Sequence, residues 1–377
     1  MSYSVRRKTS PRRLRWVWLL SFGVPVILAA GWTGLWFSAA ERAKAEVARW
    51  RQQEQQARRR QDCASESIGG YPFRFELRCT GARFELTGAP TLDFKLPSIR
   101  AAVTIYDPKV LNGELTGPLE VSEPGARSQY TAQWSRSEAR VYGLPSQLDR
   151  VSLGLDALTI RDSSAGNTFF KARRLELDAR RAAESRADHA SIEAVLRLDD
   201  AIADKDLVID KLQAVVAKPI NADIETILHK PTDLSPKPWP LQFKEWQAQG
   251  GQIDIIKGRV AQEDLIAVGA GTLKLSERGG LDGNLQVTVV GIEKLLKLFD
   301  IERIMSEGQI GSTLSALDRL IPGLGGIARQ SAAPGLIAAL GQRTVLEGKP
   351  AVAFPVRFAD GTVFLGPFQV GQIPPLF

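Results

Sequence analysis

The sequence predicts a mainly β (α+β) fold, in which a long antiparallel sheet, curved or closed into a half-barrel, carries a C-terminal helical insertion behind one N-terminal transmembrane helix. Three observations support this prediction. Residues 16–40 carry no charge, apolar and polar residues alternate through most of the chain beyond residue 63, and apolar residues recur at helical spacing within residues 291–343. No low-complexity linker divides the chain, so we expect one extended β-rich domain, residues 63–377, with its helical insertion at about 291–343.

The uncharged segment is long enough to cross a bilayer. Its apolar core, residues 16–37, would rise about 33 Å as a helix at about 1.5 Å per residue, which matches the hydrocarbon thickness. We expect basic and aromatic residues at its two ends to anchor the helix at the membrane interfaces: Arg13, Arg15, Trp16, Trp18, Trp32 and Trp36. A cleaved signal peptide is the alternative, because residues 38–40 resemble a cleavage site, but the apolar stretch exceeds the usual core of about 7–15 residues.

The basic charge of the chain is concentrated before the predicted domain. Residues 1–62 hold 13 Lys and Arg against 4 Asp and Glu, whereas residues 63–377 hold 36 against 38. The domain is therefore slightly acidic, and we expect no nucleic-acid partner. The basic tail, residues 1–15, predicts a cytoplasmic N-terminus and places the bulk of the chain on the other side of the membrane.

Residues 38–62 are rich in Ala, Glu, Gln and Arg and contain no Gly or Pro, which predicts a helical stalk that continues the membrane helix. Val47 and Trp50 would share one face of this stalk. The sequence leaves two arrangements of the stalk. The stalk either contacts the β domain along a narrow strip or is fully solvated.

The chain contains two cysteines, Cys63 at the end of the predicted stalk and Cys79 in the first predicted strand. In an exported protein, two thiols at this spacing usually pair. We therefore expect a disulfide that joins the stalk to the sheet and stabilises the fold by about 3 kcal/mol. Two reduced, buried thiols are the alternative.

Alternation is clearest at residues 71–79, where the apolar side chains fall on one side of a predicted strand. Tyr71, Phe73, Phe75 and Leu77 form this candidate apolar sheet face. Comparable segments follow, with turns predicted at Gly279-Gly280 and Asp360-Gly361, so an antiparallel meander is the simplest topology. The helices predicted within residues 291–343 would cover part of the apolar face.

Motifs for catalysis or metal binding are scarce. His189 and His229 each lie in polar surroundings and are interpreted as surface residues, so a hydrolase would need one of them to meet a serine and a carboxylate. Five aspartates resemble a calcium loop but lack its central glycine and terminal glutamate, and are interpreted as a solvated hairpin loop: Asp199, Asp200, Asp204, Asp206 and Asp210. We predict no catalytic residue, no metal site and no cofactor.

Four segments resemble a known bacterial family. They are GGYPFRFELRC at residues 69–79, IYDP at 105–108, ELTGPLEV at 114–121 and FADGTVFLGPFQVGQIPPL at 358–376. They resemble the membrane-anchored family of domain of unknown function 2125, which implies a Gram-negative envelope setting and supplies no activity. The inner-membrane helix followed by GYPFR and amphipathic strands is also similar in architecture to AsmA-like envelope proteins, whose long sheets hold lipid.

Together these features predict a single-pass inner-membrane protein with a periplasmic domain that binds or shields lipid-like molecules in a sheet-lined groove, without catalysis. Its expected partners are membrane lipid and a lipid-like ligand. An envelope scaffold that binds another envelope protein without a ligand is the alternative. An envelope hydrolase is the second alternative.

Overall fold

A computed structural model describes residues 11–56, 59–87, 91–124, 129–144, 148–182, 191–204, 218–231, 237–292, 341–365 and 368–377. Its described residues form a long N-terminal helix, one short helix and eighteen strands of a single antiparallel sheet. The mainly β fold predicted from the sequence is therefore confirmed. Most of the predicted helical insertion, residues 293–340, lies outside the described residues.

The two helices are α1, Pro11–Gln56, and α2, Trp239–Ala248. The first nine strands are β1 Arg59–Gly69, β2 Arg74–Leu86, β3 Leu92–Thr104, β4 Asp107–Thr116, β5 Leu119–Ser122, β6 Gln129–Gln133, β7 Arg136–Tyr142, β8 Arg150–Asp162 and β9 Thr168–Arg181. The remaining nine are β10 Ser191–Ala203, β11 Ile220–His229, β12 Gln252–Gln262, β13 Leu265–Leu275, β14 Leu281–Val290, β15 Gln342–Leu346, β16 Lys349–Ala359, β17 Thr362–Leu365 and β18 Phe368–Gln372.

The sheet is an antiparallel meander in which nearly every strand pairs with the next. Three rows hold two short strands each: β4 with β5 beside β3, β6 with β7 beside β8, and β15 with β17 beside β16. The eighteen strands thus form fifteen rows, which span about 67 Å at about 4.8 Å per row. Among the described strands, no pairing joins the first row, β1, to the last, β18.

In strands β8 to β11, alternation gives the sheet one apolar and one charged face, whereas in β13, β14 and β16 both faces carry buried apolar clusters. In the register of β8, β9, β10 and β11, the side chains that lie opposite one another include Leu153, Leu177, Leu196 and Ile224. We call the side of the sheet that carries them, together with Phe75 and Leu77 of β2, the apolar face. Between these positions, Arg and Glu or Asp side chains alternate on the opposite side, which we call the charged face.

A line of backbone irregularities crosses the first ten strands, and we call it the crease. At the crease, the alternation of side chains between the two faces of the sheet is reversed. Residues within three long strands have positive φ: Gly81 at 59°, Ala157 at 53° and Asp200 at 48°. The breaks between β4 and β5 and between β6 and β7 fall on the same line. Because alternation restarts after the crease, Cys79 and Ala82 both pack into one cluster with Leu96. The apolar face therefore continues unbroken past the crease.

Helix α1 lies along the apolar face of the first two strands. Its side chains that contact the sheet recur every three or four residues: Trp36, Ala40, Ala43, Val47, Arg51 and Glu54. Arg51 pairs with Glu66 of β1, and Glu54 pairs with Arg59 at the start of that strand. Val47 is half-buried, which favours the contact strip over a fully solvated stalk, whereas the side chain of Trp50 lies outside the described part.

The predicted helical stalk, residues 38–62, is too long. The helix ends at Gln56, and residues 59–62 belong to β1, where Arg59 lies opposite Leu86 and Asp62 opposite Arg83. The reason is that helix propensity contributes only tenths of a kcal/mol per residue, whereas the ladder with β2 satisfies the backbone groups of this segment that face β2.

The predicted disulfide between Cys63 and Cys79 is confirmed, with the two Cα atoms 5.5 Å apart. It joins β1 to β2, however, and not the stalk to the sheet, because Cys63 lies within β1. By the chain-entropy model, closing this loop stabilises the fold by about 3 kcal/mol. The disulfide thus reinforces the hairpin on which α1 packs.

Tight turns join the last strands of the sheet. Asp360 and Gly361, predicted as a hairpin turn, both have positive φ and join β16 to β17. The predicted turn at Gly279-Gly280 joins β13 to β14, and Leu376 donates its backbone N–H to the Gly279 carbonyl at 3.0 Å. The C-terminal residues therefore pack at the end of the sheet where α1 arrives.

Candidate functional site

The middle rows of the sheet carry a strip of partly exposed aliphatic side chains. We define the apolar strip as Leu153, Leu177, Leu196 and Ile224, one residue from each of four adjacent strands. Leu177 is 39% exposed, and the other three are half-buried. Covering an aliphatic side chain is worth about 0.8 kcal/mol per CH₂ group. The strip is therefore a surface on which an apolar ligand would gain binding free energy.

The described residues bury the apolar face more fully near the two edges of the sheet. Beneath α1, Cys79, Ala82 and Leu96 form one buried cluster. Toward the other edge, Val289 and Phe354 belong to a second cluster. The apolar strip lies between these two clusters.

The charged face of the same rows is built of ion pairs between neighbouring strands. Arg150 pairs with Asp178 at 2.7 Å and Arg174 with Asp156 at 2.6 Å. The hydrogen bond to Asp178 raises the pKa of Arg150, so that guanidinium stays charged. A pocket of about 720 Å³ is lined by charged residues of both signs, among them Arg180 and Glu193, and also by Leu153 and Leu177.

The junction between α1 and the sheet brings together two sets of residues that the sequence analysis treated separately. Trp32 donates its indole N–H to the Pro72 carbonyl at 3.1 Å, and the Thr33 and Tyr71 hydroxyls lie 2.8 Å apart. Trp36 stacks on Phe75, with ring centroids 5.3 Å apart. The helix is therefore held to the start of β2 by hydrogen bonds as well as by aromatic packing.

This junction corrects part of two predictions. Trp36 is only 6% exposed, because the protein itself covers the ring, so it does not act as a membrane-interface anchor. Tyr71 and Phe73 precede β2 and lie in a turn, so only Phe75 and Leu77 of the predicted apolar set belong to the sheet face. Residues 11–20 are helical, but the side chains of Arg13, Arg15, Trp16 and Trp18 lie outside the described part, and their anchoring role stays a prediction.

The strand register also assembles a Ser-His-Asp row, which is the meeting that the hydrolase alternative required, and His229 is half-buried in it and not a free surface residue. The Ser191 hydroxyl lies 3.2 Å from Nδ1 of His229, and Nε2 of His229 lies 2.8 Å from Oδ2 of Asp254. Burial raises the pKa of Asp254, but hydrogen bonds from Thr272, His229 and Gln252 more than offset this effect, and the pKa is lowered. The only available signal was the pairing of β10, β11 and β12, which a single sequence does not reveal.

The row differs from a hydrolytic triad in two respects. The serine faces Nδ1 and the carboxylate faces Nε2, which is the reverse of the usual arrangement. All three residues lie on strands paired on both sides, so their backbone N–H groups serve the ladder and do not converge as an oxyanion hole. The described residues therefore supply a nucleophile, a base and an orienting carboxylate without the stabilising donors.

The predicted acidic loop is only partly described. The interpretation as a hairpin loop is wrong for Asp199 and Asp200, because both lie within β10, where Asp199 is opposite Arg174 of β9. Their side chains pair with Arg173 at 3.5 and 2.6 Å. Asp206, Asp210 and His189 lie outside the described residues. Within the part of the chain that the structure describes, no three His, Cys, Asp or Glu side chains group closely enough to hold a metal ion.

The fold and this site define a class of protein in which one helix, long and apolar enough to cross a membrane, precedes one large antiparallel sheet that carries an apolar strip. Residues 36–374 match the family described as an uncharacterized protein conserved in bacteria, DUF2125. The chain belongs to this family, as its sequence motifs predicted. No curated protein matches the chain. The similarity to AsmA-like proteins stays a prediction.

Proposed function

We propose that this protein is a single-pass inner-membrane protein with its N-terminus in the cytoplasm, whose periplasmic domain binds or shields lipid-like molecules on the apolar face of its sheet. The observation that carries the proposal is the apolar strip. Side chains at these positions would be fully buried if they served only as a core, yet Leu177 remains 39% exposed in the middle of the sheet. An acyl chain is the ligand that such a surface favours.

The two faces of the sheet support this assignment by their contrast. The charged face satisfies its own side chains through ion pairs such as Arg174 with Asp156 at 2.6 Å. The four side chains of the strip are aliphatic and carry no hydrogen-bonding group, so the free energy of binding at the strip would come from burial. Burial without directional contacts favours a ligand with a long alkyl chain over a small polar molecule.

The position of α1 supports the bilayer as the source of such a ligand. The helix packs on the apolar face at β1 and β2, with Trp36 on Phe75. The face that we propose to hold acyl chains therefore begins beside the segment that we propose to span the bilayer. A lipid would reach the strip by moving across neighbouring rows of the same face.

Photo-crosslinking in cells tests this proposal. We expect the substitution Leu177→p-benzoylphenylalanine in the full-length chain to give peptide adducts with phospholipid or fatty acid after irradiation, because position 177 faces the ligand. Mass spectrometry of the tryptic peptide identifies the adduct. Val195→p-benzoylphenylalanine is the matched control, since Val195 lies opposite Asp178 in the same rows but on the charged face.

We expect at least a fivefold excess of lipid adducts at position 177 over position 195. Equal yields at the two positions would argue against a ligand face. Adducts of position 177 with one other envelope protein would instead support the scaffold that the sequence left as an alternative.

The Ser191, His229 and Asp254 row favours a second candidate function, a hydrolase of the cell envelope. A serine activated by this row would react with a fluorophosphonate probe, and the reaction would be lost in Ser191→Ala and in His229→Ala. Ser152→Ala is the control, because Ser152 lies on the same face in β8. Absence of labelling at Ser191 in the full chain, in membranes, would remove this candidate.

A further inference from the structure

Two turns at the end of the sheet where α1 arrives carry exposed aromatic side chains. The turn that precedes β2 holds Tyr71 and Phe73, and the turn between β3 and β4 holds Tyr106. Phe73 is 55% exposed and Tyr106 is 79% exposed, although the two rings stack with centroids 6.0 Å apart. Aromatic rings this exposed to water cost free energy, so their position needs a reason.

The contacts with α1 fix the depth of these turns relative to the proposed membrane span. Counted from Trp16, a hydrocarbon layer of about 30 Å takes up about 20 residues and ends near Trp36. The turn before β2 accepts a hydrogen bond from Trp32 and meets Thr33, which lie about 5–6 Å inside that limit at about 1.5 Å per residue. A turn attached at this level cannot stand clear of the bilayer surface.

We propose that the two turns form a membrane-contact surface, which places Tyr71, Phe73 and Tyr106 in the headgroup layer of the bilayer that α1 spans. Tyrosine rings suit this layer because the ring is apolar and the hydroxyl is polar. The aromatic residues flank the helix at Trp32 and Phe37, which are exposed as well. The partner is therefore the phospholipid interface itself.

This surface rests on the membrane anchor of the proposed function and is independent of whether the apolar strip holds a ligand. It also deepens that function. Phe75 and Leu77 follow directly after the inserted turn on the apolar face. The apolar face would therefore begin at the headgroup layer, so an acyl chain could move onto it without crossing water.

Spin-label depth measurement tests the proposal in the full chain. Because Cys63 and Cys79 are joined in a disulfide, a nitroxide on Tyr106→Cys is a single label. The protein is reconstituted in vesicles of phosphatidylethanolamine and phosphatidylglycerol, and the accessibility of the label to oxygen and to a water-soluble nickel chelate is compared. Val345→Cys is the matched control, since Val345 is 69% exposed and lies at the opposite end of the sheet.

We expect the label at position 106 to be several times more accessible to oxygen than to nickel, and the label at position 345 to show the reverse. Equal exposure to nickel at the two positions, in protein that floats with the vesicles, would overturn the membrane-contact surface while leaving the anchor intact. Failure of the chain to float with the vesicles would overturn both. Lipid adducts at Leu177 are measured separately, so the ligand proposal stands or falls independently.

Discussion

Glu76 is the clearest case of a single residue that the fold constrains. Its carboxylate is buried on the charged face and meets Arg78 at 2.7 Å, Arg74 at 3.1 Å and Arg100 at 3.3 Å. The hydrogen bond from Arg78 and the charges of the other two guanidinium groups lower its pKa, and burial only partly opposes them. The carboxylate therefore links β2 to β3 close to the junction with α1.

We predict that Glu76→Gln lowers the free energy of unfolding by about 1–3 kcal/mol at pH 7, since a buried partner of three cations is lost. Because the folded pKa is depressed below the ordinary value of 4.5, the stabilisation is present above that value and disappears as the pH falls through the folded pKa. Urea unfolding at pH 7 and at pH 3 measures this difference.

Glu114→Gln is the control for this prediction, because Glu114 is exposed and pairs with Arg100 at 3.0 Å. The loss of this ion pair should change the free energy of unfolding by less than about 1 kcal/mol at either pH. If Glu76→Gln were no more destabilising than this control at pH 7, the account of the buried carboxylate would be wrong.

At the level of single residues, the sequence predicted the disulfide, but it did not predict which side chains the protein buries or brings together. The pairing of Cys63 with Cys79 follows from their number and from the predicted export of the chain. The burial of Trp36 does not, because indoles near a membrane boundary and indoles in a protein interface look alike in a sequence. The Ser191, His229 and Asp254 row depends on strand register, which a single sequence leaves open.

At the level of elements, the alternation of apolar and polar residues predicted the strands well. The positions at which helices and strands begin and end were predicted less well. Helix α1 ends at Gln56 because β1 gains a full ladder with β2, and the favourable helix propensity of residues 57–62 does not outweigh it. The crease in the sheet leaves only a slight trace in the sequence. At Leu155-Asp156-Ala157-Leu158, two leucines three apart both face the apolar side.

The junction of α1 with the sheet shows how one element can set the orientation of another. Trp32, Thr33 and Trp36 are hydrogen-bonded or stacked to residues 71–75. The stalk packs farther along, where Arg51 pairs with Glu66. Contacts at two levels of one helix hold the first strands of the sheet at a defined position relative to the proposed membrane span.

At the level of the whole molecule, the sequence predicted a long antiparallel sheet with one apolar face, and the structure confirms the sheet and its meander order. Whether such a sheet closes depends on how each row twists against its neighbour, which the pattern of apolar residues does not specify. In the structure the rows run from β1 to β18 without closure among the described strands. The apolar strip lies in the middle rows and follows from the register of β8 to β11.

The lipid content of the purified full chain shows whether the apolar strip holds lipid. We compare the wild type with the double variant Leu177→Lys and Leu196→Lys, whose two positions lie opposite each other on the apolar face, and with Val195→Lys on the charged face. Lipid that surrounds α1 is common to all three proteins. We predict that the double variant loses most of the excess phospholipid per chain with an unchanged circular dichroism spectrum, and that Val195→Lys keeps it. Equal lipid content in all three proteins would contradict the account.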